Sequence, residues 1–303
     1  MKKLVIAGGS GFLGSVITSY FKHSFDEIVL LSRKQKQPEH NCRTVIWDAK
    51  NLGDWSTELD GADVLINMTG RSVDCRYHQK NKYLILNSRV DSTQILGEAI
   101  SLCKVPPKVW LNSSTATIYR HSLDKEMDEE HGEIGQGFSV NVAKAWEKTF
   151  FNAKTPNTRK VALRTAIVLG KKGGALQPIK TITRLGLGVK QGPGNQKFSW
   201  IHEDDFVGII DFCIKNEFVK GAINVVAPTP TDNQTFMRTL RKIMNIPFGL
   251  PANKPILEIG AFIIRTETEL LLKNRNVIPK RILDYGFTFK YKDIETALRE
   301  LVT

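Results

Sequence analysis

The chain has 303 residues, 41% of them hydrophobic and 24% charged, enough to build one large or two interlocked globular units with a substantial core. No apolar run is long and uncharged enough to span a bilayer, and the four widely spaced cysteines (Cys42, Cys75, Cys103, Cys213) form no C-x-x-C pair, so neither a membrane protein nor a zinc site is expected. The net charge of +12 invites a nucleic-acid partner, but lysines and arginines are spread along the whole chain with acidic residues among them, so charge defines no nucleic-acid surface and none is expected. Reduced thiols and a cytoplasmic location are expected.

The chain begins Lys2-Lys3-Leu4-Val5-Ile6-Ala7-Gly8-Gly9-Ser10-Gly11-Phe12-Leu13-Gly14. A short apolar run rich in β-branched residues, a glycine cluster and a helix-compatible segment over 12–21 predict strand, tight turn and helix. Gly9, Gly11 and Gly14 satisfy G-x-G-x-x-G, and Gly8, Gly11 and Gly14 satisfy the variant G-x-x-G-x-x-G. In such a turn one glycine permits the sharp bend, a second lets backbone approach a pyrophosphate, and a third lets helix pack closely on strand. Amides at the helix start, over Ser10, Gly11, Phe12, Leu13 and Gly14, would then face the phosphates. Glycines interrupt the apolar run and no A-x-A cleavage site follows, which argues against a signal peptide.

A second buried strand is predicted over 27–31, followed by Ser32-Arg33-Lys34. NAD-selective sites carry a carboxylate here for the ribose 2′-hydroxyl, whereas an arginine accommodates a 2′-phosphate. With Ser32 and Arg33 and no acid, the expected cofactor is NADP(H). A third strand over 44–47 leads to Asp48, suited to the adenine edge. A fourth, over 62–68, ends in Met68-Thr69-Gly70, where small residues let backbone approach the cofactor. Residues 83–100 carry a helical apolar pattern, and a fifth strand begins at 108–111 and runs into the Ser/Thr-rich segment ending at Tyr119. Strand-plus-helix units without an internal repeat predict an α/β fold, a Rossmann-type doubly wound parallel sheet.

A sixth strand is expected over 160–169, carrying Arg164, which either faces the cofactor or pairs with a carboxylate. Beyond Gly170 the chain becomes loop-rich, with glycine turns at Gly173-Gly174, Gly186-x-Gly188 and Gly192-Pro193-Gly194 among several lysines. Basic residues around glycine turns suit a phosphorylated or nucleotide-activated ligand, and equally a solvated surface. Helices are predicted over 205–214, 256–272 and 294–302, and strands over 222–226 and 287–291. Residues 1–170 and 201–227 are expected to form the NADP-binding domain, and 171–200 and 228–303 a smaller C-terminal α/β substrate lobe.

The glycine pattern, Asn67-x-Thr69-Gly70 and the segment ending in Tyr119 resemble an extended short-chain dehydrogenase/reductase. Gly137-Phe138 through Trp146-Glu147, Leu163-Arg164-Thr165, Gly173-Gly174-Ala175-Leu176, Ser199-Trp200-Ile201-His202 and Ala227-Pro228 narrow the resemblance to YfcH-like "epimerase family" proteins, which carry a short C-terminal domain of uncharacterised role. That resemblance implies a reductase or nucleotide-sugar epimerase-like enzyme, a monomer or homodimer, acting on a small-molecule substrate that is nucleotide-activated. The superfamily's chemistry uses a Tyr-x-x-x-Lys pair on the helix after the fifth strand. None of the six tyrosines here has lysine four residues later. On the expected helix, either Val140 and Lys144 or Ser139 and Ala143 stand in the two places. Tyr119 is then the candidate proton carrier, and Thr115 or Ser114 the candidate for bonding a substrate oxygen. The alternative is a non-catalytic NADP(H)-binding sensor or scaffold.

Overall fold

Strands of the amino-terminal half are apolar at nearly every position because both of their faces are covered. In a computed structural model of the protein, which describes residues 1–35, 37, 39–190, 192–247, 249 and 274–303, β1 (Lys3–Ala7), β2 (Glu27–Ser32), β3 (Cys42–Ile46), β4 (Val64–Asn67), β5 (Val109–Thr115), β6 (Arg159–Thr165) and β10 (Gly221–Val225) form one parallel sheet in the order β10-β6-β5-β4-β1-β2-β3. Alternate side chains divide between two cores. Leu4, Ile6, Ile28, Val64, Ile66, Leu111 and Leu163 face helices α1 (Phe12–Phe21) and α5 (Glu203–Lys215). Val5, Ala7, Val29, Leu65, Trp110 and Ala162 face α2 (Gln79–Leu102) and α3 (Phe138–Asn152).

The chain runs outward from β1 through β2 to β3, then returns to the other side of β1 as β4. The crossover therefore reverses between β1 and β4, and the carboxyl ends of these two strands open a crevice at the switch point. Register brings Ala7 level with Leu31 and Asn67, and Asn67 level with Asn112, so the ends of β1, β2 and β4 converge there beside the middle of β5.

The expected sixth strand is two. β6 stays in the main sheet and β7 (Ile167–Leu169) leaves it to pair in parallel with β9 (Trp200–His202). The break falls at Ala166, whose N–H bonds the Val225 carbonyl at the end of β10, beyond which β6 has no neighbour to follow. β8 (Lys197–Phe198) and β11 (Thr231–Asp232) pair antiparallel. Around them α4 (Leu176–Ile182), α6 (Asn233–Ile243) and α8 (Ile294–Val302) close a third core of Leu169, Leu176, Trp200, Phe236, Leu240 and Leu298. A short helix α7 (Lys280–Asp284) packs beside β10.

The strand expected over 287–291 does not form. The N–H groups of Lys290 and Tyr291 instead donate to the two oxygens of the Asp205 carboxylate, at 2.8 and 2.9 Å, so these backbone donors are satisfied by a side chain. The helix expected over 256–272 lies outside the described residues.

Candidate functional site

Three glycines of the first turn carry three separable constraints. Gly8 has φ +76°, and a Cβ there would lie 2.8 Å from the Thr69 backbone, so the ends of β1 and β4 touch through it. A Cβ on Gly14 would lie 2.3 Å from the Gly9 carbonyl oxygen, so α1 packs directly on the turn. Gly11 has ordinary φ and open space on its Cβ side. These positions follow the Gly8-x-x-Gly11-x-x-Gly14 spacing, and Gly9 is tight as well, a Cβ there lying 2.9 Å from the Leu30 side chain. The N–H of Ser15 is the first to bond back, to the Gly11 carbonyl, which leaves the amides of Phe12, Leu13 and Gly14 ahead of the helix ladder. The Phe12 ring itself is used in packing, beneath Gly170, Gly173 and Gly174, while Leu13 packs on the core and Ser10 is exposed in the turn.

Ser32 is buried at the end of β2 and its hydroxyl accepts the Lys34 N–H. Arg33 is exposed and pairs with no acid among the described residues. Asp48 is also exposed, and its carboxylate is engaged by the amides of Lys50 and Asn51 and by the Asn51 side chain, which hold it below the usual range. Met68 packs on the core under α1. Thr69 is adjacent to Gly8, and its hydroxyl is buried without a hydrogen-bond partner. Open space over Gly11, free amides beside it and an orphaned hydroxyl across the crevice fit a dinucleotide's phosphates and ribose.

Behind the crevice lies a buried polar bracket that ties four elements. The Asn67 side chain donates to the Asn112 side-chain oxygen at 2.7 Å and to Thr93, and Trp146 Nε1 donates to the same Thr93 hydroxyl at 2.9 Å. This fixes the end of β4 and the middle of β5 against α2 and α3.

A second network surrounds the expected catalytic residues. Ser114 Oγ donates to Glu147 at 2.6 Å, and Arg164 grips the same carboxylate through Nε and Nη2, both at 2.8 Å. Arg164 Nη1 donates to the Tyr119 hydroxyl at 2.8 Å, and that hydroxyl donates onward to Asn224 Oδ1 at 2.9 Å. Of the two roles considered for Arg164, its guanidinium therefore performs the pairing. Burial works against its charge, but Glu147 outweighs burial and its pKa is raised. Tyr119 is 3% exposed, with its ring under Gly132. Burial raises its phenol above the ordinary 10.0, against the opposing pull of Arg164. That direction is opposite to the activation a Tyr-Lys pair provides. Thr115 is only half-buried; its Oγ1 accepts the Thr117 N–H at 3.1 Å, which leaves its own proton to donate.

The register of α3 follows from burial. Lys144 is exposed and Val140 buried, whereas Ser139, Ala143 and Glu147, spaced by four, share the face whose Glu147 meets Ser114. Ser139 and Ala143 thus occupy the two places, and Ser139 Oγ is buried without a hydrogen-bond partner. Glu147, Asn224 and Arg89 were not singled out as site residues. Only Glu147, an acid on an otherwise apolar helix face, left a signal in the pattern. Among the described residues no group of three His, Cys, Asp or Glu could hold a metal ion, and no helix is long and apolar enough to cross a membrane.

Comparison with known proteins agrees with this architecture. Residues 4–226 match the model of the NAD dependent epimerase/dehydratase family, and residues 254–301 match a domain of unknown function, DUF1731. The chain is 30% identical over 303 residues to the epimerase family protein YfhF of Bacillus subtilis, covering 99% of this chain and 97% of that one. It is likewise 30% identical over 305 residues to human epimerase family protein SDR39U1, covering 99% of each. A crystal structure of human SDR39U1 (isoform 2) with NADPH superposes with a TM-score of 0.86 at 30% identity, covering 99% of this chain and 98% of that one. With its glycine turn, switch-point crevice and DUF1731 segment, the chain belongs to the NAD dependent epimerase/dehydratase family, in its extended short-chain form.

Proposed function

We propose that this protein binds NADP(H) across the β1–β4 crevice and acts as an NADP(H)-dependent reductase or epimerase-like enzyme on a nucleotide-activated small molecule. The observation that carries the reading is the Gly8-x-x-Gly11-x-x-Gly14 cradle beside an exposed Arg33 that pairs with no acid among the described residues. The amides of Phe12, Leu13 and Gly14 hold the diphosphate, Thr69 and Gly70 line its other side, and Ser32 and Arg33 take the 2′-phosphate. Asp48 borders the adenine. The binding of NADPH by human SDR39U1, 30% identical over nearly the whole length, supports the choice of cofactor.

NADP(H), when bound, supplies or accepts a hydride. The chain's own part is orientation of the substrate. Thr115 orients the substrate oxygen by a hydrogen bond from its hydroxyl, the proton that balances the hydride being exchanged with solvent, and Ser114, Glu147, Arg164 and Tyr119 fix the end of β5 behind it. Residues 1–170 and 201–227 serve the cofactor and 171–200 and 228–303 the substrate, in a cytoplasmic protein of the YfcH-like branch. NADPH titration of the purified protein by nicotinamide fluorescence should give tighter binding than NADH, and Arg33→Ala should narrow the gap. Equal affinity of the unaltered protein for both cofactors overturns the assignment.

A second reading has its own support. Ser139 and Ala143 stand where the family's phenol and amine act, and the Tyr119 hydroxyl is enclosed. Tight NADPH binding with no turnover on a panel of carbonyls and sugar nucleotides would favour a non-catalytic sensor or scaffold. If turnover is found, Thr115→Val should reduce it about 100-fold or more.

A further inference from the structure

Arg89 is a guanidinium beside the crevice that, like Arg33, pairs with no carboxylate among the described residues, and unlike Arg33 it is half-buried. It projects from the middle of α2, half-buried, with its Cζ only 3.0 Å from where a Cβ on Gly70 would stand. On its other side the guanidinium lies over the Trp146 ring of α3, 5.1 Å from the centroid. Nη1 donates to the carbonyls of Ile85 and Arg71, at 2.9 and 3.1 Å. No carboxylate among the described residues pairs with it, although Arg43, Arg120, Arg164 and Arg299 each have one. Burial pushes its pKa down to about 10, so it remains charged at neutral pH at an electrostatic cost. The segment leading into α2 adds Arg71, Arg76, Lys80 and Lys82 against a single acid, Asp74.

We propose that Arg89 is an anion-binding residue, whose free Nε and Nη2 edge takes a phosphate or carboxylate oxygen of the molecule held between the 68–70 turn and helix α3. A planar fork held flat between a glycine and an indole is suited to two-point recognition of such a group. The anion has two possible sources, the cofactor's diphosphate or a negatively charged group on the substrate. Arg89 lies on the Gly70 and α3 side of the crevice, away from the 2′-phosphate site at Arg33. The inference rests on the proposed cofactor site for its first source and is independent of it for its second.

Arg89→Met and Arg89→Lys are the variants, with NADPH, 2′,5′-ADP and inorganic phosphate as probes. If the diphosphate is the anion, Arg89→Met weakens NADPH binding roughly 10- to 100-fold, by loss of a charge-assisted bond. Under the same source 2′,5′-ADP, which lacks the nicotinamide-side phosphate, changes by less than about 3-fold. If the substrate supplies the anion, NADPH affinity is unchanged. Inorganic phosphate then perturbs the Trp146 or nicotinamide fluorescence of the NADPH-loaded wild type and loses this effect in Arg89→Met.

In both cases Arg89→Lys loses most of the effect, because an ammonium lacks the fork. Arg89→Met also gives up the bonds to the Ile85 and Arg71 carbonyls and the stacking on Trp146, so its melting temperature serves only to show that it folds, and the ligand responses decide. A purely structural arginine leaves both ligand responses intact in the folded variants, and that result overturns the proposal. Should the wild type fail to bind NADPH, the cofactor reading falls, and the phosphate response of the unloaded protein, compared between wild type and Arg89→Lys, still decides the role of Arg89.

Discussion

At the scale of single residues, Gly11 and Gly14 do different work although one motif contains both. Space is open where a Gly11 Cβ would stand, while a Gly14 Cβ would meet the Gly9 carbonyl at 2.3 Å. Gly11→Ala should therefore fold with an unchanged melting temperature and bind NADPH at least about 10-fold more weakly, because the methyl fills the approach to the amides. Gly14→Ala should itself be destabilised by about 1–3 kcal/mol, read by urea denaturation, since helix and turn must separate. The Glu147–Arg164 pair is a second residue-scale test. Both side chains are nearly enclosed, at 10% and 12% exposure. Removing one partner leaves the other charge buried, so Glu147→Gln should cost about 3–5 kcal/mol of stability. Tyr119→Phe, which strips one partner each from Arg164 and Asn224, should cost about 1–2 kcal/mol.

Single elements add constraints that no residue has alone. Helix α5 covers one face of the sheet through Phe206, Ile209, Ile210 and Cys213. Burial pushes the Cys213 thiol up from 9.0 to about 12, against the opposing pull of Arg159. A raised pKa on an acid means that folding stability from this group is fully present below pH 9 and is lost as pH rises towards 12. At pH 8 the folded thiol is almost wholly protonated, so thiol-labelling of the native protein should leave Cys213 unmodified until denaturant is added. Prompt modification in the native state would mean that α5 opens locally. Helix α3 shows the same dependence on an element's orientation. Its buried face, set by Val142, Trp146 and Phe150 against the sheet, decides that Ser139 and Ala143 look inward and Lys144 outward.

Across the whole molecule, the carboxyl-terminal residues are bound back onto the sheet domain. His202 Nδ1 accepts the Asp204 N–H, which assigns the ring proton to Nε2, and Nε2 donates to Glu300 at 2.9 Å. The same ring stacks on Tyr291 at 3.8 Å, and Asp205 holds the amides of Lys290 and Tyr291. Asp205→Ala leaves two donors without an acceptor, and should lower stability by about 2–4 kcal/mol in thermal or urea unfolding. A variant ending at Asp284 uncovers Leu169, Trp200 and Phe236, and should aggregate more readily than the unaltered protein.

The order of strands and helices in the amino-terminal half was legible in the sequence because burial on both sheet faces writes continuous apolar runs. The span 12–21 and the span 294–302 were read to the residue. The first turn was legible for the same local reason, since φ and close approach at Gly8 and Gly14 act within a few residues. The strand expected over 287–291 failed because β-compatible residues can satisfy their amides on a distant carboxylate. The cluster joining Tyr119 to Asn224, 105 residues apart, and the contact between Arg89 and Gly70, were invisible. Periodicity states which face of an element is buried and says nothing of which other element covers it. Sequence alone determined the dinucleotide turn and the missing Tyr-x-x-x-Lys pair. Sheet order, which sets what the strand ends face, decided that Tyr119 is enclosed, that Thr115 is open and that Arg89 keeps its charge beside the crevice.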